Sequence, residues 1–301
     1  MDLFALLAGF GGGVFAASIG ALPAFILTGL FAVCGAVANL AGVDAGGFLT
    51  GTMAFGPFFG PWVSFAGGVA AAAYAKKKGL SENGADIATA CASYQKADVL
   101  LVGGVFGLIG QAVHMFVFVP FLSGAISPKF ATDPGIIVFF SGVLVRLVFG
   151  GKLKTSDKIL SSGDALTTTL TIGVFYSLLV AAVFCSVVPA AEAGGWYDAL
   201  AGNYHVLVFG MAGVGLVFAE MGVAFTGCHH IVIIAAEATV GAYRTTGNLW
   251  IALVVGTVFG TIAAILGDIE GNTINCGTDS HIDNPAFAIF VMTFVVSACF
   301  N

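Results

Sequence analysis

Asn248-Leu249-Trp250-Ile251-Ala252-Leu253-Val254-Val255-Gly256-Thr257-Val258-Phe259-Gly260-Thr261-Ile262-Ala263-Ala264-Ile265-Leu266-Gly267 is a run of 20 residues without a single charge. Its apolar residues are continuous, not spaced at every second position, which argues against a transmembrane β-strand. At 1.5 Å per residue, about 20 such residues cross the hydrocarbon of a bilayer as one helix. Similar runs occupy 3–19, 22–41, 53–75, 98–124, 134–150, 164–190, 204–226, 229–243 and 284–300. The expected fold is therefore all-α, a polytopic transmembrane bundle of about ten spans. The short runs 134–150 and 229–243 suit broken or re-entrant helices.

Composition supports this. The chain has 301 residues, 58% hydrophobic and only 9% charged. A soluble domain carries roughly a quarter of its residues as Asp, Glu, Lys and Arg, so there is too little charge here to coat a water-facing surface. A net charge of −6 offers no basic footprint for nucleic acid. The six cysteines, Cys34, Cys91, Cys185, Cys228, Cys276 and Cys299, show no CxxC spacing and read as small packing residues. Met1-Asp2 leads into an apolar run with no cationic segment before it, so the first hydrophobic stretch is expected to stay in the mature protein. No phosphate-binding loop, nucleophile elbow or HExxH motif is present, and enzymatic activity is not expected.

Basic residues set the expected orientation. Lys76, Lys77, Lys78 and Lys96 mark the connection 76–97, and Lys152, Lys154 and Lys158, with Arg146 just before them, mark 151–163. Cytoplasmic loops gather lysine and arginine, so both connections should face the cytoplasm of a multi-pass inner-membrane protein. Both termini then fall outside, as does 191–203 with Glu192 and Asp198, and Lys129 and Arg244 are the exceptions. Glycines four apart, as in Gly9/Gly13, Gly103/Gly107 and Gly256/Gly260, suit close helix packing, and a homo-oligomer is expected.

Sliding the chain on itself by 226 residues lays Ala38–Thr52 over Ala264–Thr278 with four of fifteen positions identical. Slightly later Gly56-Pro57 meets Asn284-Pro285. On this register a single transmembrane domain, 1–301, would contain repeat-like halves at 1–125 and 204–301, joined by spans within 126–203. The loop parity makes the halves inverted, an arrangement common among secondary transporters. The proline-flanked stretches 42–61 and 268–287 become the expected site-forming elements, because unwound backbone survives at membrane depth only beside protein or a wet cavity.

The densest polar run is Gly267–Ala286. Asp268, Glu270, Asn272, Asn275, Thr278, Asp279, His281 and Asn284, with Asp44 in the first copy, are the candidate solute- or ion-binding residues. The competing reading is a solvated connection in which Asn284 caps the last helix and Pro285 opens it. Asn284-Pro285-Ala286 also resembles the half-helix tripeptide of the aquaporins. A second copy is lacking, since Ala21-Leu22-Pro23-Ala24 and Phe55-Gly56-Pro57-Phe58 stand where it would fall, and no family follows from it.

Glu220 and Glu237 lie within expected spans, where a carboxyl group is costly and therefore a functional suspect. His230 and Glu237 are seven apart and would share a helix face. His114 with Gln111 reads as a hydrogen-bonded packing pair. Cys228, His229 and His230, with Cys276 and His281, are candidate ligands for a soft metal or haem. Adjacent helical histidines project about 100° apart, which weighs against that reading. The expected function is a transporter or channel for a small solute or ion in the lipid bilayer, without a resident cofactor. The rivals are a membrane-embedded partner subunit and a metal- or haem-binding redox protein.

Overall fold

The computed structural model describes residues 2–122, 133–151, 153, 156 and 158–300. Lys129, Lys152 and Lys154 lie outside the described residues. Every regular element among the described residues is helical. The first six are α1 (Leu3–Ile19), α2 (Ala21–Leu40), the short α3 (Ala45–Phe48), α4 (Ser64–Lys77), α5 (Ala97–Val113) and α6 (Asp133–Val145). The other six are α7 (Asp164–Ala193), α8 (Tyr197–Gly215), the short α9 (Val217–Glu220), α10 (His229–Thr246), α11 (Leu249–Thr273) and α12 (Asn284–Phe300). Wider-wound π turns continue α3 over Leu49–Ala54, α5 over His114–Leu122 and α6 over Arg146–Gly150. Among the described residues, five helical stretches are long and apolar enough to cross a membrane: Ala21–Leu40, Ala97–Leu122, Asp164–Ala193, Tyr197–Glu220 and Leu249–Thr273. Leu3–Ile19, Gly135–Gly150 and Asn284–Phe300 are apolar but shorter.

The chain departs from the expected spans where local chemistry intervenes. The run 53–75 begins in the π turn that ends at Ala54 and is α-helical only from Ser64, because Pro57 and Pro61 supply no N–H to an α-helical ladder. Pro120 sits in the stretch where α5 loosens into its π turn. The connection 191–203 is not a loop, since α7 ends at Ala193 and α8 begins at Tyr197. Gly195, at φ 71°, makes that tight reversal possible. At the other end, α11 runs on to Thr273 and takes Asp268, Glu270 and Asn272 out of the expected loop.

Packing repeats in chain order. Helix α1 lies along α5 and α4, as α7 lies along α11 and α10. Helix α2 touches α4 as α8 touches α10, and α6 and α12 each close against the central helix of their own half. Between halves, α2 packs on α8 and α6 on α12. The central helices α4 and α10 are buried along nearly their whole length. Lipid is as apolar as a leucine side chain, so such contacts rely on backbone approach. A Cβ at Gly29 would lie 2.9 Å from the Gly210 carbonyl oxygen, at the crossing of α2 and α8.

This order follows a different register from the 226-residue shift, which lays the end of α2 on the middle of α11. Equating α5 with α11 instead places Val102–Gly110 over Val255–Ala263 at a shift of 153, with six of nine residues identical. The shorter-range likeness at 226 reflects a composition poor in residue types, and the packing does not use it.

Candidate functional site

Where the halves meet lies a cavity of about 390 Å³. Its walls come from α2, α4 and α6 on one side and α7, α8, α10, α11 and α12 on the other. Ile87 of the 78–96 connection and Thr168 and Thr169 near the start of α7 also border it. Four phenylalanines, Phe25, Phe65, Phe209 and Phe225, form much of the apolar wall.

The polar side begins at α10. Gly222 at φ 81° turns the chain out of α9, and residues 223–228 run irregularly to His229. The His229 ring sits 4.7 Å from Phe25 and 5.6 Å from Phe209, centroid to centroid. His230 lies against Gly267, where a Cβ would come within 2.9 Å of its Nε2. Both imidazoles are more than nine-tenths buried, and the Nδ1 of each has no hydrogen-bond partner.

Asp283 supplies the capping role expected of Asn284. Its Oδ2 accepts from the Ala286 N–H at 2.8 Å, and its Oδ1 lies 3.1 Å from His281 Nε2. Asn284 is instead the first helical residue, and its amide donates to the Gly267 carbonyl at 3.1 Å, pinning α12 to α11. Burial pushes the Asp283 carboxyl up, but His281, His229 and the Ala286 N–H together outweigh it and hold Asp283 below the usual carboxylate range. His281 stands edge-on to Phe65 at 5.7 Å. Asp268 also borders the cavity, accepting from Ser161 N–H at 2.7 Å and Ser161 Oγ at 2.6 Å.

Other predicted residues hold the 274–283 segment in place behind the cavity. Asn275 Oδ1 accepts from Ile282 N–H at 2.9 Å. Lys76 Nζ donates to the Thr278 carbonyl and hydroxyl, each at 2.8 Å, and pairs with Asp279 at 3.2 Å. Asn272 donates to the Asp268 carbonyl at 2.7 Å. The fully buried Arg146 donates through Nε and Nη2 to Ser280 Oγ and the Ser280 carbonyl, both at 2.6 Å. Irregular backbone thus finds its partners within the protein, as burial requires. Arg146 was legible as a charge inside the run 134–150, yet the sequence reading assigned it to the neighbouring loop.

Asp44 lies exposed beside α3 and Glu220 exposed at the end of α9, so neither joins the cavity. Glu220 is not deep in a span, because it is the last residue of the stretch Tyr197–Glu220. Glu237 and Glu270 are buried away from the cavity, and all four of their carboxyl oxygens lack hydrogen-bond partners. The Cys228–His229–His230 metal set does not assemble: the two rings stand 5.9 Å apart at 82°. No group of three His, Cys, Asp or Glu side chains among the described residues is placed to hold a metal. His114 stacks on Trp62 at 4.2 Å, while Trp62 Nε1 donates to Gln111 Oε1 at 3.0 Å.

Among the described residues, then, the chain is helical, carries membrane-length apolar helices and holds a polar-edged cavity bordered by helices from both ends of the sequence. The chain belongs to a family of unknown function (DUF7973), whose model matches residues 1–161 and 176–300. No curated protein and no solved structure matches it.

Proposed function

We propose that this protein is a carrier or channel for a small solute or ion in the cytoplasmic membrane. On this reading ten crossings form two inverted five-span halves, with α3 and its π turn leading into α4 and α9 leading into α10. Five crossings per half is an odd number, which gives the second half the opposite orientation. The two segments matched by the family model coincide roughly with these halves and support the division. The observation that carries the proposal is the cavity. It lies at the meeting of the halves and is bordered by His229, His230, His281, Asp283 and Asn284, in a chain that otherwise buries few ionisable groups. Transporter sites of this architecture sit between the repeats, beside interrupted helices. Ile87 of one lysine-bearing connection borders the cavity, as does Thr168 in the first turns of the helix that follows the other, which supports a mouth on the cytoplasmic face by the charge rule.

Flux through reconstituted proteoliposomes tests this. The probes are sodium, potassium, methylammonium, acetate and glycerol, each compared with protein-free vesicles. Flux of at least one probe is expected, together with its loss in Gly227→Trp, which fills the cavity. Vesicles no leakier than the protein-free control to every probe would favour a non-transporting membrane subunit.

A further inference from the structure

We infer that the cavity takes a small organic ammonium cation, with the charged nitrogen toward Asp283 and Asp268 and the carbon skeleton against the phenylalanines. The inference names a substrate class for the site proposed above and rests on that reading only for the claim that the ligand is transported.

Charge comes first. Two carboxylates border the cavity, and no lysine or arginine does. Two cations that hold the neighbouring 274–283 segment are already committed: Lys76 to Thr278 and Asp279, and Arg146 to Ser280. An anion brought here would meet two carboxylates in a desolvated site, and His281, the base beside them, is already bonded to Asp283. Each Asp oxygen involved already accepts a bond, which orients it, but an ionised carboxylate has about four acceptor sites, so capacity remains for an ammonium N–H.

Shape and wall chemistry then separate an organic cation from a bare metal ion. About 390 Å³ is far more room than a dehydrated inorganic ion fills. No three-donor cluster is placed to ligate one among the described residues. Phe25, Phe65, Phe209 and Phe225 present π faces and edges, and a cation held over such a face is attracted by the ring quadrupole, more strongly once water is excluded. The remaining groups are the imidazoles of His229 and His230, both buried with an unpartnered Nδ1. Those Nδ1 atoms have no accessible surface, so the two rings add to the wall of the cavity and not to its hydrogen-bond acceptors. A neutral solute would use the aromatic wall and the imidazoles but leave the two carboxylate charges unanswered.

The test uses three ligands with one ring and three charges, titrated calorimetrically into the full-length protein in detergent: benzylammonium, benzyl alcohol and benzoate. Benzylammonium should bind saturably and about tenfold or more tighter than either of the others, the scale expected of a desolvated charge pair with cation–π support. Asp283→Asn should weaken it by at least about tenfold while keeping the α12 cap, since asparagine caps as well as aspartate. Asp268→Asn, which leaves that cap untouched, should weaken it severalfold and guards against a folding defect in the first variant. Equal or tighter binding of benzyl alcohol or benzoate, no binding of any of the three, or benzylammonium binding unchanged in both variants would overturn the assignment. Flux of another probe without ammonium binding would sink the cation and spare the carrier. Ammonium binding without flux of any probe would do the reverse.

Discussion

Among single residues, Glu237 is the most exposed to test. Its carboxyl is fully buried in α10 and neither oxygen has a partner. A buried polar group left unsatisfied costs about 1–3 kcal/mol. Replacing it with a shape-compatible apolar residue should therefore stabilise the fold, so Glu237→Leu is expected to raise the melting temperature in detergent by a few degrees. A lower melting temperature would show that the acid is held by something the static structure does not contain. The sequence picked out Glu237 because a carboxyl in an apolar run is rare. It did not single out Asp283, which stands two residues before Pro285 in the polar run Gly267–Ala286, and it put Glu220 deep in a stretch at whose exposed end the residue lies. Whether a polar residue caps, ties a loop or faces a cavity depends on partners far along the chain, as Asp268 and Ser161 show.

Asp283 also makes a prediction about pH. Its folded carboxyl sits below the unfolded value of about 3.9, so its contribution is fully present above that value and disappears as pH falls through the lower folded one. Wild-type protein should therefore lose stability more steeply than Asp283→Asn below about pH 4. Parallel acid titrations followed by circular dichroism would show this, and superimposable curves would mean that Asp283 does not couple to folding. Cys91 provides a simpler check: burial, with Asp86 nearby, pushes its thiol up to about 11. It should stay unmodified by maleimide at pH 7.5 in native protein and react once the fold is denatured.

At the scale of helices, the decisive contacts are those in which backbone meets backbone. A Cβ on Gly13 of α1 would collide with the Gly103 carbonyl of α5, whereas one on Gly11 would meet nothing within 4 Å. Gly13→Ala should destabilise by about 1–3 kcal/mol, because a carbonyl held in a helix cannot move aside as a side chain can. Gly11→Ala should be neutral or stabilising by up to about 1 kcal/mol, since alanine favours the helix. Chemical denaturation of both variants separates these outcomes, and equal effects would refute the α1–α5 contact. The glycine pairs were legible in the sequence, as were most helix positions. The partners were not. In water an amphipathic stripe announces which face is buried, but lipid accepts the same side chains as a neighbouring helix does, so α1 and α12 carry apolar residues all round. The six identities between Val102–Gly110 and Val255–Ala263 were in the sequence too, and only the matching roles of α5 and α11 single them out from a background of apolar near-repeats.

For the whole molecule, the repeated packing raises the question of why the place where α10 meets α11 borders the cavity and its counterpart where α4 meets α5 does not. In the second half His230 lies against Gly267 of α11 and borders the cavity. In the first half the same register puts His114 opposite Gly267, and its ring stacks on the fully buried Trp62, whose indole donates to Gln111 and whose carbonyl a Cβ at Gly110, one turn earlier, would strike. His114 and Trp62 thus fill the place that is open in the other half. If the halves are inverted, the filled position should face the membrane surface opposite the cavity mouth, so that emptying it would open the protein from the other side. In a cysteine-free background, Gly227→Cys should be labelled by a membrane-impermeant reagent only from the face bearing Lys76–Lys78. Gln111→Cys should resist labelling from both faces until Trp62→Ala is added, and should then react from the opposite face. Removing a buried tryptophan costs about 3–5 kcal/mol, so the double variant must first show a cooperative melt. Labelling of both cysteines from one face would mean that the halves share an orientation, and an alternating passage between them would then have no structural basis.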